Sequence, residues 1–489
     1  MQYNQHALHN VLTSHENWST ETARVVRLRD IPDGSEFKSI LGDVLCTSEN
    51  FDAIPLAILF YYDGLEVVNA LGHAKGTHKL ACFYWTLINF SPQHRTALHN
   101  INLATICLEK HVSHFEPELI VSGKPGEGRE CTSWGASMRK LADGRHILAM
   151  IPDTTSSILY RRKFFCGGTF LIAADTPAAN QLAGFKIAVG PSTVSVCRIC
   201  HCLQHSEDTS KYGPYRQPNY FLPSLGSDWK ATTQQAFRLR DATEYAQLKA
   251  KVAKLGKAKA KSELKNDGIN SFTTAFERIL FVYVCTSFPI DVMHILLEGV
   301  MRVEVAGLIY LMTRVFLHWR VTISKLNGAL KAHKFHSGGK KIPPISCFLA
   351  TGTGDKMPHS DATVSGIATQ LMYFTLHSVE ILGQFVPEEE WAETPAWASW
   401  LALVDILNVF LQNDVSKRDL ENLDGLIVYH DTLFLDIPQY RSLWKPKSHF
   451  LSHVPLDMYR WGPCLRYWCM RFEGENQVVK AAAMSGNFF

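Results

Sequence analysis

Short apolar runs closed by turn residues dominate the first third of the chain. Ile54 to Tyr62 (IPLAILFYY), followed by Asp63-Gly64, reads as a buried strand that ends in a turn. Lys79 to Asn89 and Ile101 to Glu109 continue the pattern, and three successive strands are the expected start of a sheet. Lys124 to Ser137, rich in Gly, Ser and charge, reads as loop. His146 to Ile151 and Gly168 to Ala174 are two further strands, the second again running into an aspartate, Asp175. From Asp241 to Lys265 the spacing turns helical and lysine-rich, a pattern that a solvated helix satisfies by itself. Beyond Asp291 the apolar residues recur at helical spacing, as in His294 to Phe316, Val364 to Leu382 and Trp397 to Leu411. Gly-terminated β runs are missing between residues 301 and 440, so this stretch is expected to be helical and to give no strand to the sheet. Trp391, Trp397 and Trp400 read as packing residues of that half.

At 489 residues, with 46% hydrophobic and 19% charged, the chain has the makeup of a globular protein of two or three folding units. No apolar run reaches the roughly 20 residues of a bilayer span, and Met1 to Trp18 lacks a signal-peptide core. A nuclear or cytoplasmic protein, not secreted and not in a membrane, is the expectation. The 12 cysteines then point to reduced thiols and a metal site in preference to disulfides. A formal charge of +3 does not mark a nucleic-acid protein by itself, so any DNA contact has to come from local patches such as the lysine stretch or Arg161, Arg162 and Lys163.

Four features carry possible chemistry. Asp63 and Asp175 each follow an apolar strand, and adjacent strand ends can hold two carboxylates close enough to share Mg²⁺, although aspartate is also a common turn residue there. Cys197-Arg-Ile-Cys200 has the spacing of half a zinc site, with His201, Cys202 or His205 as candidate third ligands. Asp291-Val-Met-His294 opens a helix, where Asp291 serves as an N-cap or as a functional carboxylate and His294 as its hydrogen-bonding partner. Glu473 and Glu475 begin a C-terminal helix, a usual place for charges that stabilise the dipole.

Ordered blocks along most of the chain, YYDGLEVVNALG from Tyr61, FLIAADTPAANQLAGFKIAVGPSTVSVCRIC from Phe170, FPIDVMHILLEGV from Phe288 and KPKSHFLSHVPLDMYRWGPCLRYWCMRFEGENQVVK from Lys445, resemble transposases of CACTA (En/Spm-like) elements and their fungal and animal relatives. The resemblance implies an α/β fold: an RNase H-like mixed-sheet core interrupted by a large all-helical insertion. It makes Asp63, Asp175 and Glu473 a DDE triad binding Mg²⁺ or Mn²⁺, with Asp291 and His294 as a D-x-x-H signature. The implied layout is an N-terminal extension over 1–50, a core over 51–300, the insertion over 301–440 and a core segment over 441–489. The 298 positions from Asp175 to Glu473 (473 − 175) are far too many for one connection, which agrees with an inserted unit. Where relatives often carry a second acidic residue after the first Asp, this chain has Gly64. The resemblance also leads us to expect a helix after Glu473 cut short at Phe489 and no separate module for recognising transposon ends.

The implied activity is metal-dependent cleavage and transfer of DNA strands, with transposon ends as partner and a homo-oligomer as the working form. The competing expectation is a decayed or domesticated transposase that keeps the fold and binds DNA or protein. A metabolic hydrolase using the same aspartates has no substrate motif in its favour.

Overall fold

The computed structural model describes residues 27–47, 54–66, 79–112, 147–152, 160–187, 195, 197–200, 239–270, 272, 279, 281–335, 342–344, 366–440 and 443–485. The fold is mixed α/β, and the chain divides into two compact units: residues 1–188, 240–291 and 457–489, and residues 189–239 and 292–456.

The first unit is built on a five-stranded sheet. Its strands are β1 (Ile54–Glu66), β2 (Lys79–Leu87), β3 (Asn102–Leu108), β4 (Ile147–Pro152) and β5 (Tyr160–Ala174), in the spatial order β3-β2-β1-β5-β4. β1 to β3 pair antiparallel in sequence, β5 lies parallel to β1, and β4 is antiparallel to β5 at the edge. The central place of β1 explains its unbroken apolar run: Ile54 to Tyr62 are all buried, as both faces of an inner strand must be. Phe60, Tyr62, Phe83, Trp85 and Ile172 form the core together with Ala178, Leu182 and Phe288. Gly167 fits its place for a backbone reason. With φ at +143° it pairs with Leu56, and a Cβ there would stand 1.9 Å from the Leu56 carbonyl oxygen.

The sequence places a turn at Asp63-Gly64, but β1 runs on to Glu66. Antiparallel pairing with β2 continues past the end of the parallel pairing and holds Asp63 opposite Cys82 in extended backbone. The lysine-rich stretch forms two helices, Ala242–Ala253 and Lys257–Asn266, and the seven lysines of these helices and the turn between them are all exposed.

The second unit is helical. Its longer helices are Met301–Tyr310, Ile323–Ala332, Ala368–Gly383, Pro395–Phe410 and Lys417–Asp436. Among the described residues of 301–440, none joins the five-stranded sheet. Trp397 and Trp400 are fully buried, and the Trp400 indole N–H donates to Ser378 Oγ at 2.9 Å, the polar partner that a buried indole needs. At the centre lies a buried polar relay. The His430 Nδ1 and Nε2 positions lie 2.9 Å from Asp431 and 2.8 Å from Glu304, and Ser399 Oγ donates to the other Glu304 oxygen at 2.7 Å. Burial works against the charged imidazole, but the two carboxylates outweigh it and lift the His430 pKa to about 10. The unit also differs in extent from the 301–440 insertion: it reaches to Leu456 and takes in residues 189–239, which the sequence assigns to the core.

Candidate active site and metal centre

The last parallel pair of β1 and β5 is Tyr62 with Ala174, so the next residues, Asp63 and Asp175, leave neighbouring strands at the same edge. Strands stand about 4.8 Å apart, so the two residues leave neighbouring backbone, but their carboxylates and that of Glu473 are not among the groups of described residues whose ligand atoms all lie within 4.8 Å of one another. Asp175 also caps the Thr176–Leu182 helix, its Oδ1 accepting from the Ala178 N–H at 2.7 Å.

Glu473 comes to this edge on the helix Phe472–Ser485. Phe472 stacks on Tyr61 with 4.5 Å between ring centroids. One turn on, Asn476 is buried; its Nδ2 donates to Asp63 Oδ2 at 2.6 Å and its Oδ1 accepts from the Tyr84 hydroxyl at 2.9 Å. Residues three apart share a helix face, so the contact that fixes Asn476 turns Glu473 toward the same sheet edge. Just before this helix, Asp291 Oδ1 accepts from the Cys469 N–H at 2.9 Å.

Buried groups at this edge lie in the field of these charges. Burial first, and then Asp291, Asp63, Asp175 and Glu473, push the Cys469 thiol well above its ordinary range. Four carboxylates from four distant chain segments are therefore within electrostatic reach of one sulfur. The Tyr61 phenol is raised in the same way, by burial and then by Asp63, Cys469, Glu473 and Asp291. Its hydroxyl is 1% exposed by residue and has no hydrogen-bond partner among the described residues. Tyr62, whose phenol is raised by burial and then by Glu109, Cys107, Asp63 and Asp175, adds Glu109 to the same edge. Asp63, Asp175 and Glu473 themselves are half-buried. A buried carboxylate set fully closed to solvent would be of no use to a substrate, and this one is not closed. His294 belongs to the second unit, on the π-helical segment Met293–Val300, where its carbonyl accepts from Lys447 Nζ at 2.8 Å.

The second unit holds a candidate metal centre. Cys197 and Cys200 meet His449 and His453, all four buried, with one ligand atom from each within 4.8 Å of the others. Cys197 Sγ lies 3.4 Å from His453 Nε2, Cys200 Sγ lies 3.4 Å from His449 Nε2, and the two Nε2 atoms lie 3.2 Å apart. Tetrahedral bonds of 2.3 Å to sulfur and about 2.05 Å to nitrogen require about 3.5 Å and 3.3 Å for those separations, so the set fits one ion. The Ile199 N–H donates to Cys197 Sγ at 3.3 Å, an outer contact of the kind that steadies a thiolate ligand. The C-x₂-C pair is thus completed from far along the chain. His201, Cys202 and His205 lie outside the described residues. The missing half had a signal, the H-x₃-H spacing of His449 and His453, which is the usual partner of C-x₂-C. Asn476 and Tyr61 had none.

Among the described residues no helix is long and apolar enough to cross a membrane. Compared with known proteins, the chain matches no family model and no curated protein.

Proposed function

We propose that the chain is a DDE transposase-like protein that cuts and joins DNA strands at the sheet edge carrying Asp63, Asp175 and Glu473. What supports this reading is that Asp63 and Asp175 follow neighbouring strand ends, and that these two and Glu473, 410 positions apart at the extremes (473 − 63), all bear electrostatically on the buried Cys469 thiol. The sheet supports an RNase H-like core: three strands antiparallel in sequence, then a strand parallel to the first whose end presents the second aspartate. Clustered hard oxygen donors suit Mg²⁺ or Mn²⁺, which when bound lowers the pKa of an attacking water or 3′-hydroxyl and offsets charge on the leaving oxygen. The residues themselves do three things. Asp63 is held in place by Asn476, Asp175 is fixed by its own helix N-terminus, and Glu473 is aimed by the stacking of Phe472 on Tyr61. The exposed lysines of 249–265 supply phosphate contacts that position DNA without reading its sequence. In the second unit two thiolates and two imidazoles, all buried, suit a structural Zn²⁺ with no open position.

The test is Mg²⁺- or Mn²⁺-dependent nicking and 3′-end joining of DNA by the full chain against Glu473→Gln. Loss of at least a hundredfold in the variant is expected. One observation favours a second reading, a fold kept without catalysis: Asp175 has a structural task as a helix cap that requires no metal. A parent protein that cuts no faster than Glu473→Gln decides for it.

A further inference from the structure

A third group of ligating side chains lies in the helical unit, apart from the Cys₂His₂ cluster. His377 and Glu380 stand three positions apart on the Ala368–Gly383 helix and so share one face. His333 meets them from the end of the Ile323–Ala332 helix, where its N–H donates to the Ala329 carbonyl at 2.9 Å. His333 Nε2 and His377 Nδ1 are 3.0 Å apart, and His333 Nδ1 is 3.6 Å from Glu380 Oε2. Phe335 packs edge-on against both imidazoles, at 4.8 Å and 5.1 Å, which fixes the two ring planes. One ligand atom from each of the three residues falls within 4.8 Å of the others.

We propose that His333, His377 and Glu380 form a second divalent-cation site of the Zn²⁺ class, one that faces solvent and keeps a ligand position open. Two imidazoles and one carboxylate favour Zn²⁺ and its late transition-metal neighbours over Mg²⁺. Bonds of about 2.05 Å in a tetrahedron place two nitrogens about 3.3 Å apart, so the imidazole pair needs to spread about 0.3 Å, and Glu380, whose 3.6 Å contact is to the opposite His333 nitrogen, has to turn its exposed carboxylate to the Nε2 side. Three protein ligands leave the fourth position to water or to an incoming group, whereas the Cys₂His₂ set is already full. The outer edge is open: the His333 side chain is 13% exposed and that of Glu380 is 73% exposed. The alternative is a plain hydrogen bond between two imidazoles, one donating to the other, which needs no ion.

Titration of the metal-free full chain with Co²⁺ separates the two. Binding at Cys197 and Cys200 gives intense thiolate charge-transfer absorption, while a His₂Glu site adds only weak visible bands. The proposal expects His377→Ala to lower the Co²⁺ stoichiometry by one and Glu380→Gln to weaken that equivalent at least threefold, the charge-transfer band staying at wild-type strength in both. Because Glu380 lies on the surface, its variant folds and decides the matter even if His377→Ala does not. Unchanged stoichiometry and affinity in Glu380→Gln, or in a folded His377→Ala, would overturn the site.

Discussion

The acidic sheet edge and the Cys₂His₂ centre are both assembled from residues far apart in sequence, yet they are built on opposite principles. At the sheet edge like charges are crowded at half-buried positions, so the fold works to hold them together. In the helical unit four buried ligands sit at bonding separations, so an ion would hold the fold together. The first arrangement is partly open to solvent; the second is closed, and with an ion bound it would be stabilising. Stability and activity should therefore separate cleanly between the two.

The largest expected effect is at the metal centre. Cys200→Ala or His453→Ala should cost about 4–5 kcal/mol or more, because a lost ligand leaves buried polar groups and no ion. Thermal unfolding of the full chain with and without a chelator checks this: chelation should reproduce the loss in the parent and do nothing further to the variants. Next is Gly167→Ala, expected to cost about 3 kcal/mol through a strained backbone and a clash with Leu56, and to misplace Asp175, eight residues further along the chain (175 − 167). A variant as stable and as active as the parent would break the link between β1–β5 pairing and the acidic edge.

The helical unit should also carry a pH dependence of its own. His430 is raised from 6.5 to about 10, so its contribution is fully present below about pH 6.5 and is lost as the pH climbs through 10. Denaturant unfolding between pH 7 and 11 should show a fall on the order of 4 kcal/mol that His430→Gln removes. The smallest effect sharpens the contrast most. Glu473→Gln should leave stability within about 0.5 kcal/mol of the parent, or raise it slightly, since it relieves repulsion among carboxylates. A marked destabilisation there would mean that Glu473 is a structural residue after all.

Much of the sheet was readable because inner strands must be apolar on both faces, and IPLAILFYY or GTFLIAA can hardly be anything else. The turn at Asp63-Gly64 was misplaced because local preference favours a turn there, while the pairing partners that keep the chain extended are 19 and 17 residues further on (82 − 63, 81 − 64). The C-x₂-C pair was read and its completion was not: the H-x₃-H spacing of His449 and His453 was in the sequence, but only tertiary packing brings that pair to the two cysteines. Asn476 shows the limit most clearly. Nothing around it in the sequence distinguishes it from any amide on a surface helix, yet its two bonds to Asp63 and Tyr84 fix the helix that presents Glu473.

The separation of Cys197 and Cys200 from His449 and His453, 256 and 249 positions, also has a temporal meaning. At synthesis rates of about 5–20 residues per second, roughly 10 to 50 s pass between the appearance of the two thiols and that of the imidazoles that complete the set. For that interval a nascent chain carries an exposed dithiol, open to oxidation and to weak capture of passing metal. If zinc fills the centre, its loading would be a late step of biogenesis, and protein made under oxidising or zinc-poor conditions should fail at this point first.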